Sequence, residues 1–375
     1  HQSVFALLVV EVGVVVHLFA VGAGMTTQLL NGYTRLEPMV YLTYFVVPGT
    51  LFFAGWAAVA LLVHVLVNNK YLGFFVFIVL FILNTFAWTL VDVESNLVLF
   101  NGSPGLRYSD MNGFGPYLKN WMFFKVYWIL FAGLIVLLSY LFVVRGNDTS
   151  MRWRTHQAKQ RFRTSWPVAA VLGGVWLLMA GFGYYQTKVL NTYQTSDVLE
   201  EAQVRYEKEF KRYEHMAQPH YTAVSFTIDL DPPARAISYS ADITLKNKNT
   251  TAIDTLWLNV PHRMNVTLEI PGAKLVLNDD ALDQRMYRLS PPLAAGAELS
   301  VTVKGGWKQK GIENETEFTG LVQNGSFFNN MELLPAIGYN TSGELQDRAD
   351  RRKHGLPPND RMPKLAEDPA QRMQN

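Results

Sequence analysis

A formal net charge of +2 across 375 residues gives no ground for nucleic-acid binding, and the absence of cysteine excludes disulfides and thiolate-held metals. The length suits a helical membrane bundle plus one mid-sized water-facing domain. The averages conceal an asymmetry, because the amino-terminal half is very apolar and the carboxy-terminal half is mixed and charged.

Five apolar runs, taken in chain order, predict about five membrane-spanning helices. Crossing a hydrocarbon layer ~30 Å thick takes roughly 20 apolar helical residues. The first run is Val12–Leu30, with Val4–Val10 ahead of Glu11; no signal-peptide pattern precedes it. The stretches from Pro38 to Asn69 and from Tyr71 to Val91 hold no Asp, Glu, Lys or Arg at all. Val126–Val144 and Trp166–Thr187 complete the set. Within the second span, Pro48-Gly49 predicts either a kinked helix or a re-entrant piece followed by a shorter span. Trp121, Phe123, Phe124, Tyr127 and Trp128 read as an aromatic belt at one interface.

Ionisable groups inside such spans are expensive and often mark a pathway. Glu11, His17 and His64 are the pathway candidates. Glu11 lies roughly one-third of the way across by helix rise and would need a buried partner charge. Asp92 and Lys125 fall at span ends, from which they reach the interface. The connection Arg145–Ser165 carries Arg145, Arg152, Arg154, Lys159, Arg161 and Arg163 against one acid, Asp148. Lys70 lies in the turn between the second and third spans, whereas the alternate loops carry Arg35 in one and Arg107 and Lys119 in the other. The positive-inside rule therefore puts the basic loops in the cytoplasm, and everything after Lys188 outside, in the periplasm of a bacterium. The basic connection suits an anionic lipid surface or a cytoplasmic partner. The outer loop Glu94–Asn120 is dense in turn formers, and reads as a compact cap over the bundle or as a plain connector.

Beyond the spans, Ser196–Met216 has the spacing of an amphipathic helix, with Leu199, Ala202, Tyr206, Phe210 and Tyr213 on one face. Asp197 with Glu200 is a candidate capping pair, and Glu201–Arg205 and Glu207–Lys211 are candidate i,i+4 pairs. The helix reads as a stalk packed on its own domain, or as a lever between membrane and domain. Alternating segments follow at Thr222–Leu230, Ile237–Leu245, Thr255–Val260, Val266–Ile270, Lys274–Leu277 and Leu299–Val303, punctuated by turn signals. The fold class is thus an α-helical transmembrane bundle followed by an all-β saddle or sandwich domain. The expected boundaries are 1–190 for the membrane segment, 191–218 for the stalk, 219–311 for the β-domain and 312–375 for a loop-rich stretch. The chain reads as an internal piece of a longer polypeptide.

No motif in these residues carries catalysis. Gly305-Gly306-Trp307-Lys308 lacks the spacing of a phosphate-binding loop, and there is neither an HExxH pair nor a GxSxG elbow. His262 and His354 stand alone in sequence and read as surface or loop histidines.

Short motifs nevertheless combine into a resemblance. They are Val67-Asn68-Asn69-Lys70-Tyr71-Leu72-Gly73, Tyr108-Ser109-Asp110-Met111-Asn112-Gly113-Phe114-Gly115, Lys125-Val126-Tyr127-Trp128 and Val144-Arg145-Gly146. In the second half come Tyr206-Glu207-Lys208-Glu209-Phe210 with Gln218-Pro219, Asp229 to Pro232, and Leu245-Lys246-Asn247. Asn324 to Asn330, Pro335 to Asn340, Glu344-Leu345 and Arg351 to Pro358 complete the match. Together they resemble a bacterial family that fuses an ABC-type exporter permease to a periplasmic zinc aminopeptidase of the aminopeptidase N type. The resemblance implies further helices upstream, ATP hydrolysed by a separate cytoplasmic ABC ATPase subunit, and pairing with a second permease half or a second copy. It implies a β-rich segment similar to the amino-terminal saddle domain of aminopeptidase N, with zinc bound by a catalytic domain later in the chain. No catalytic, cofactor or metal residue is carried onto this stretch. Asn68, Asn69, Lys70, Tyr71, Arg152 and Arg154 are expected to face the ATPase, and Tyr108, Ser109, Asp110, Asn112 and Gly113 form the outer-loop motif. A membrane-anchored metallopeptidase without transport, and a non-catalytic periplasmic binding module, are the alternatives.

Overall fold

The computed structural model describes residues 2–67, 69–109, 113–143, 150–191, 193–314 and 320–359. The chain forms two compact units, His1–Thr195 with Lys310–Asn324, and Ser196–Gln309 with Gly325–Asn375. The division is not linear along the chain. Fifteen residues beyond the last long strand, which the sequence assigns to the β-domain boundary and the loop-rich stretch, belong with the helices instead.

The first unit is helical. Its elements are α1 (Gln2–Leu30), α2 (Pro38–Tyr41), α3 (Val47–Val67), α4 (Lys70–Phe86), α5 (Gly115–Phe142) and α6 (Met151–Tyr184). Helical conformation runs without a break from Pro38 to Val67, so Pro48 does not divide this segment. A π-helical stretch, Leu42–Val46, joins α2 to α3 just ahead of Pro48. The wider turn absorbs the backbone bond that proline cannot donate, as such bulges commonly do. Among the described residues, four helical segments are long and apolar enough to cross a membrane: Glu11–Leu30, Pro38–Val67, Gly115–Phe142 and Met151–Leu190. The third apolar run, Tyr71–Val91, supplies only the shorter helix Lys70–Phe86.

From Met151 the basic connection is not the loop that its charge suggests. The basic connection is helical from Met151 onward and continues into the last span through Pro167. Its Arg, Lys and Gln residues are good helix formers, and no glycine or proline interrupts them before Pro167. The unit also includes β8 (Leu321–Val322).

The second unit is an antiparallel sheet domain. It comprises α7 (Ser196–Phe210), β1 (His220–Asp231), β2 (Ala236–Lys246), β3 (Ile253–Asn259), β4 (Thr267–Glu269), β5 (Ala273–Asp279), β6 (Gln284–Leu293) and β7 (Glu298–Lys308). β9 (Gly325–Ser326), α8 (Asn330–Leu333), β10 (Ala336–Ile337) and α9 (Arg348–Lys353) follow. Two four-stranded sheets form, in the orders β1-β2-β7-β4 and β10-β3-β6-β5. β2 alternates as a half-buried strand should, with Ile237, Tyr239, Ala241, Ile243 and Leu245 all buried. Gly305 of β7 leaves room for the Tyr239 ring, since a Cβ there would lie 2.5 Å from the phenol oxygen. That ring donates to Leu333 O at 2.6 Å, and its burial pushes the phenol up to about 12.

In β3 the consecutive residues Leu256, Trp257 and Leu258 are all buried, so both faces of the strand are covered. On the Trp257 side the cover is α7, whose Tyr206 and Phe210 join Trp257 and Met286 in one cluster. The amphipathic helix is therefore packed on its own domain. Of its two expected i,i+4 pairs, Glu207–Lys211 forms at 3.4 Å and Glu201–Arg205 does not. Arg205 bonds Glu209 and Asp279 rather than Glu201, because Asp279 closes β5 beside it. Glu200 is taken by Lys353 at 3.0 Å and His354 at 2.6 Å.

Along the edge strand β1, Val224, Ile228 and Leu230 lie opposite Ile243, Tyr239 and Ile237, yet each stays 37–43% exposed. An apolar stripe of this kind on a sheet edge marks a surface prepared for cover.

Candidate functional site

Chemistry-bearing residues of the helical unit gather at two places. At the first, α6 ties down the carboxy-terminal ends of two other helices. Helix ends leave carbonyls without intrahelical partners, and a cation there also suits the helix dipole. Arg154 Nη1 donates to Leu66 O at 3.0 Å, and Nη2 to Val65 O at 2.8 Å, closing α3. Two turns later Arg161 Nη1 donates to Tyr140 O at 3.1 Å, Leu141 O at 3.0 Å and Val143 O at 2.6 Å, closing α5.

Arg154 is therefore buried, 3% exposed, and its guanidinium points into the unit rather than outward. The turn that follows α3 is held by Asn69, whose side chain accepts from Tyr71 N at 3.0 Å and Leu72 N at 3.2 Å as the cap of α4. Lys70, Tyr71 and Arg152 are exposed, and the Lys70 ammonium lies 4.8 Å from the Tyr71 ring centroid. Asn68 lies outside the described residues. Arg154 thus brings together two segments, the α3–α4 turn and the start of α6, that the sequence separates by more than eighty residues.

The second gathering is the loop between α4 and α5 with the strap Lys310–Asn324. Lys125 is buried, and donates to Asn101 O at 3.0 Å instead of reaching an interface as expected. Trp128 donates to Asn96 O at 2.9 Å, Tyr127 to Leu97 O at 3.1 Å, and Asn101 Nδ2 to Phe52 O at 2.8 Å. Residues 96–101 therefore fold down as a cap, because α5 offers them three buried donors. Asn314 locks the strap onto this cap: its side-chain oxygen accepts from Asn96 N at 2.8 Å, and its carbonyl accepts from Asn96 Nδ2 at 2.6 Å. Gln186 Oε1 accepts from Ile312 N at 3.1 Å, while Asn191 Nδ2 donates to Lys310 O at 2.8 Å and Ile312 O at 3.1 Å.

Replacing Asn314 with alanine should loosen the strap, with a loss of about 1–3 kcal/mol from the stranded backbone N–H of Asn96, since the carbonyl that accepts from Asn96 Nδ2 is kept. Faster proteolysis between Lys310 and Asn324, measured against wild type, checks it.

The motif Tyr108–Gly113 closes on itself, with Ser109 N donating to Gly113 O at 3.0 Å and Gly113 N returning to Ser109 O at 2.6 Å. Gly113 adopts φ +56°, which a side chain would strain. Tyr108 packs on Phe114, which stacks on Tyr44. Asp110 and Asn112 lie outside the described residues.

Of the pathway candidates, His17 is buried between Phe45 and Phe53, with Nδ1 at 2.6 Å from Gly13 O and Nε2 against Gly49, where a Cβ would sit 2.1 Å away. His64 is half-buried against Gly73, and Glu11 is exposed. The three do not form one constellation.

In the sheet unit, Glu207 and Arg351 form a buried two-pronged ion pair, 2.7 Å from Nη1 to Oε2 and 2.8 Å from Nη2 to Oε1. Burial pushes the Glu207 carboxyl up, but the Arg351 hydrogen bonds and the Lys211 charge outweigh it and hold it below its ordinary value. Buried Glu344 accepts from Lys211 at 3.0 Å and from the Tyr339 hydroxyl at 2.8 Å. Among the described residues no group of three or more His, Asp or Glu side chains could hold a metal ion. His262 and His354 each meet one carboxylate, Asp283 and Glu200, both at 2.6 Å.

Nothing in the sequence marked Arg161, Asn96 or Asn314 as structural. A comparison of the chain with protein-family models and with curated proteins finds no match.

Proposed function

We propose that this chain is the permease-side segment of an ABC-type exporter in a bacterial inner membrane, joined to a periplasmic domain of aminopeptidase N type and driven by a separate ATPase subunit. The observation that carries this reading is the Arg154 clamp. It joins the α3–α4 turn to the start of α6, so that Lys70, Tyr71 and Arg152 belong to one tied end of the helical unit. A cytoplasmic motor needs such a rigid handle, because force applied to a loose loop would not reach the spans. The exposed apolar stripe on β1 suits the packing of a following catalytic domain, which in this reading supplies the zinc ligands. The residues described here supply none of that chemistry.

The test is Lys70→Glu with Arg152→Glu in the full-length protein, purified with its native ATPase. Reversing two interface charges should weaken the association by roughly tenfold or more. Loss of coupled ATP hydrolysis supports the exporter. Unchanged association and hydrolysis favour a membrane-anchored peptidase that does not transport, and a full-length protein without HExxH favours a non-catalytic module.

A further inference from the structure

We propose that Lys159, Arg163 and Trp166 on the outer face of α6 form a binding site for the headgroup of an anionic phospholipid. Arg152, His156, Lys159, Arg163 and Trp166 recur at intervals of four, three, four and three, so they line one stripe. Arg154, Ala158, Arg161 and Ser165 line another, about 200° away around the helix. The second stripe is spent inside the unit, since Arg154 and Arg161 bind helix-end carbonyls and Ala158 is buried. The first stripe consequently faces away from the bundle, and Arg152, Lys159, Arg163 and Trp166 are all exposed.

Like charges one turn apart repel, and the helix provides nothing to offset them. Between Asp148 and Asp197 the chain contains no acid at all. The cations therefore call for an external anion, and their surroundings specify its kind. Directly after Trp166 the helix becomes apolar, with Val168, Val171, Leu177 and Leu178 exposed. Lys159 and Arg163 thus sit where a lipid-facing surface gives way to a polar one, with the exposed rings of Phe162 and Trp166 beside them. That junction is the level of lipid phosphates, and Trp is the residue that favours it. A protein partner would not explain the apolar surface continuing along the same helix. The inference rests on the membrane-spanning reading of the helical unit and is independent of transport or of any ATPase.

The experiment uses the full chain reconstituted into nanodiscs of phosphatidylcholine with increasing phosphatidylglycerol, and reads retained lipids by native mass spectrometry. Wild type should retain phosphatidylglycerol selectively. Lys159→Gln with Arg163→Gln should weaken retention on the order of 30-fold, at about fivefold per cation removed. The exchange Lys159→Arg with Arg163→Lys, which keeps both charges, should preserve it. Undiminished retention in the glutamine variant overturns the site. Displacement of the lipid by inorganic phosphate alone overturns the assignment to lipid, and so does loss of an acidic protein partner with lipid retention intact. The Lys70→Glu, Arg152→Glu variant leaves Lys159 and Arg163 in place, so failure of the exporter reading registers separately.

Discussion

Replacing Arg351 with methionine is expected to destabilise the sheet unit by about 3–5 kcal/mol, because it strands a buried carboxylate. Glu207 is 2% exposed and Arg351 1%, so water replaces neither partner. Lys211 remains within reach of Glu207, but at 3.4 Å and shared with Glu344 it offsets little. The companion double variant, Glu207→Met with Arg351→Met, removes both charges and should recover most of the loss, since apolar replacement of a buried pair is often neutral. Chemical denaturation followed by Trp257 fluorescence reports on this directly, because that ring packs against Phe210 and Tyr213. The pH dependence gives an independent check. In the wild type the Glu207 carboxyl is held below its ordinary value, so its stabilisation is present above that value and is lost as pH falls through the folded one. Without Arg351, burial dominates and the sign reverses, so the variant's deficit should be largest near neutrality and should shrink on acidification. A deficit independent of pH would mean that lost packing, not the stranded charge, is responsible.

Much of this architecture was written in simple patterns. Charge-free runs located the apolar helices, and period-two alternation located β1, β2 and β7. The strand β6 escaped notice because Gln284, Arg285 and Arg288 give its first half a polar appearance, and Pro291 and Pro292 break its second. It is nonetheless an inner strand, between β3 and β5, where pairing on both sides overrides weak propensity. The basic stretch was legible only as a sum of charge. Counting cations orients a helix but cannot sort them by face. The spacing that does so, Arg154 to Ala158 to Arg161, gains meaning only once the stretch is known to be helical rather than a loop. Asn96 and Asn314 left no trace in the sequence, for asparagines in polar loops carry no periodicity. Their pairing depends on a contact across more than two hundred residues.

The same sorting of charges yields the second large effect. Replacing Arg154 with alanine should cost about 2–4 kcal/mol, since two charge-assisted hydrogen bonds are lost and the carbonyls of Val65 and Leu66 are left without those donors. Arg161→Ala should cost a similar amount at α5, where three carbonyls share one guanidinium nitrogen. Because the two arginines close different helices, their losses should add within about 0.5 kcal/mol. Lysine should not rescue Arg154 fully. A single ammonium cannot reproduce the planar fork that reaches two carbonyls from two nitrogens, so Arg154→Lys should retain at most about half of the stabilisation. Thermal unfolding in neutral detergent measures all three quantities. If Arg154→Lys matches wild type, net positive charge near the end of α3 is what matters and the hydrogen-bond geometry is incidental. If the double variant loses far less than the sum, the two helix ends move as one body, and the handle proposed for the motor extends across α3, α5 and α6 together.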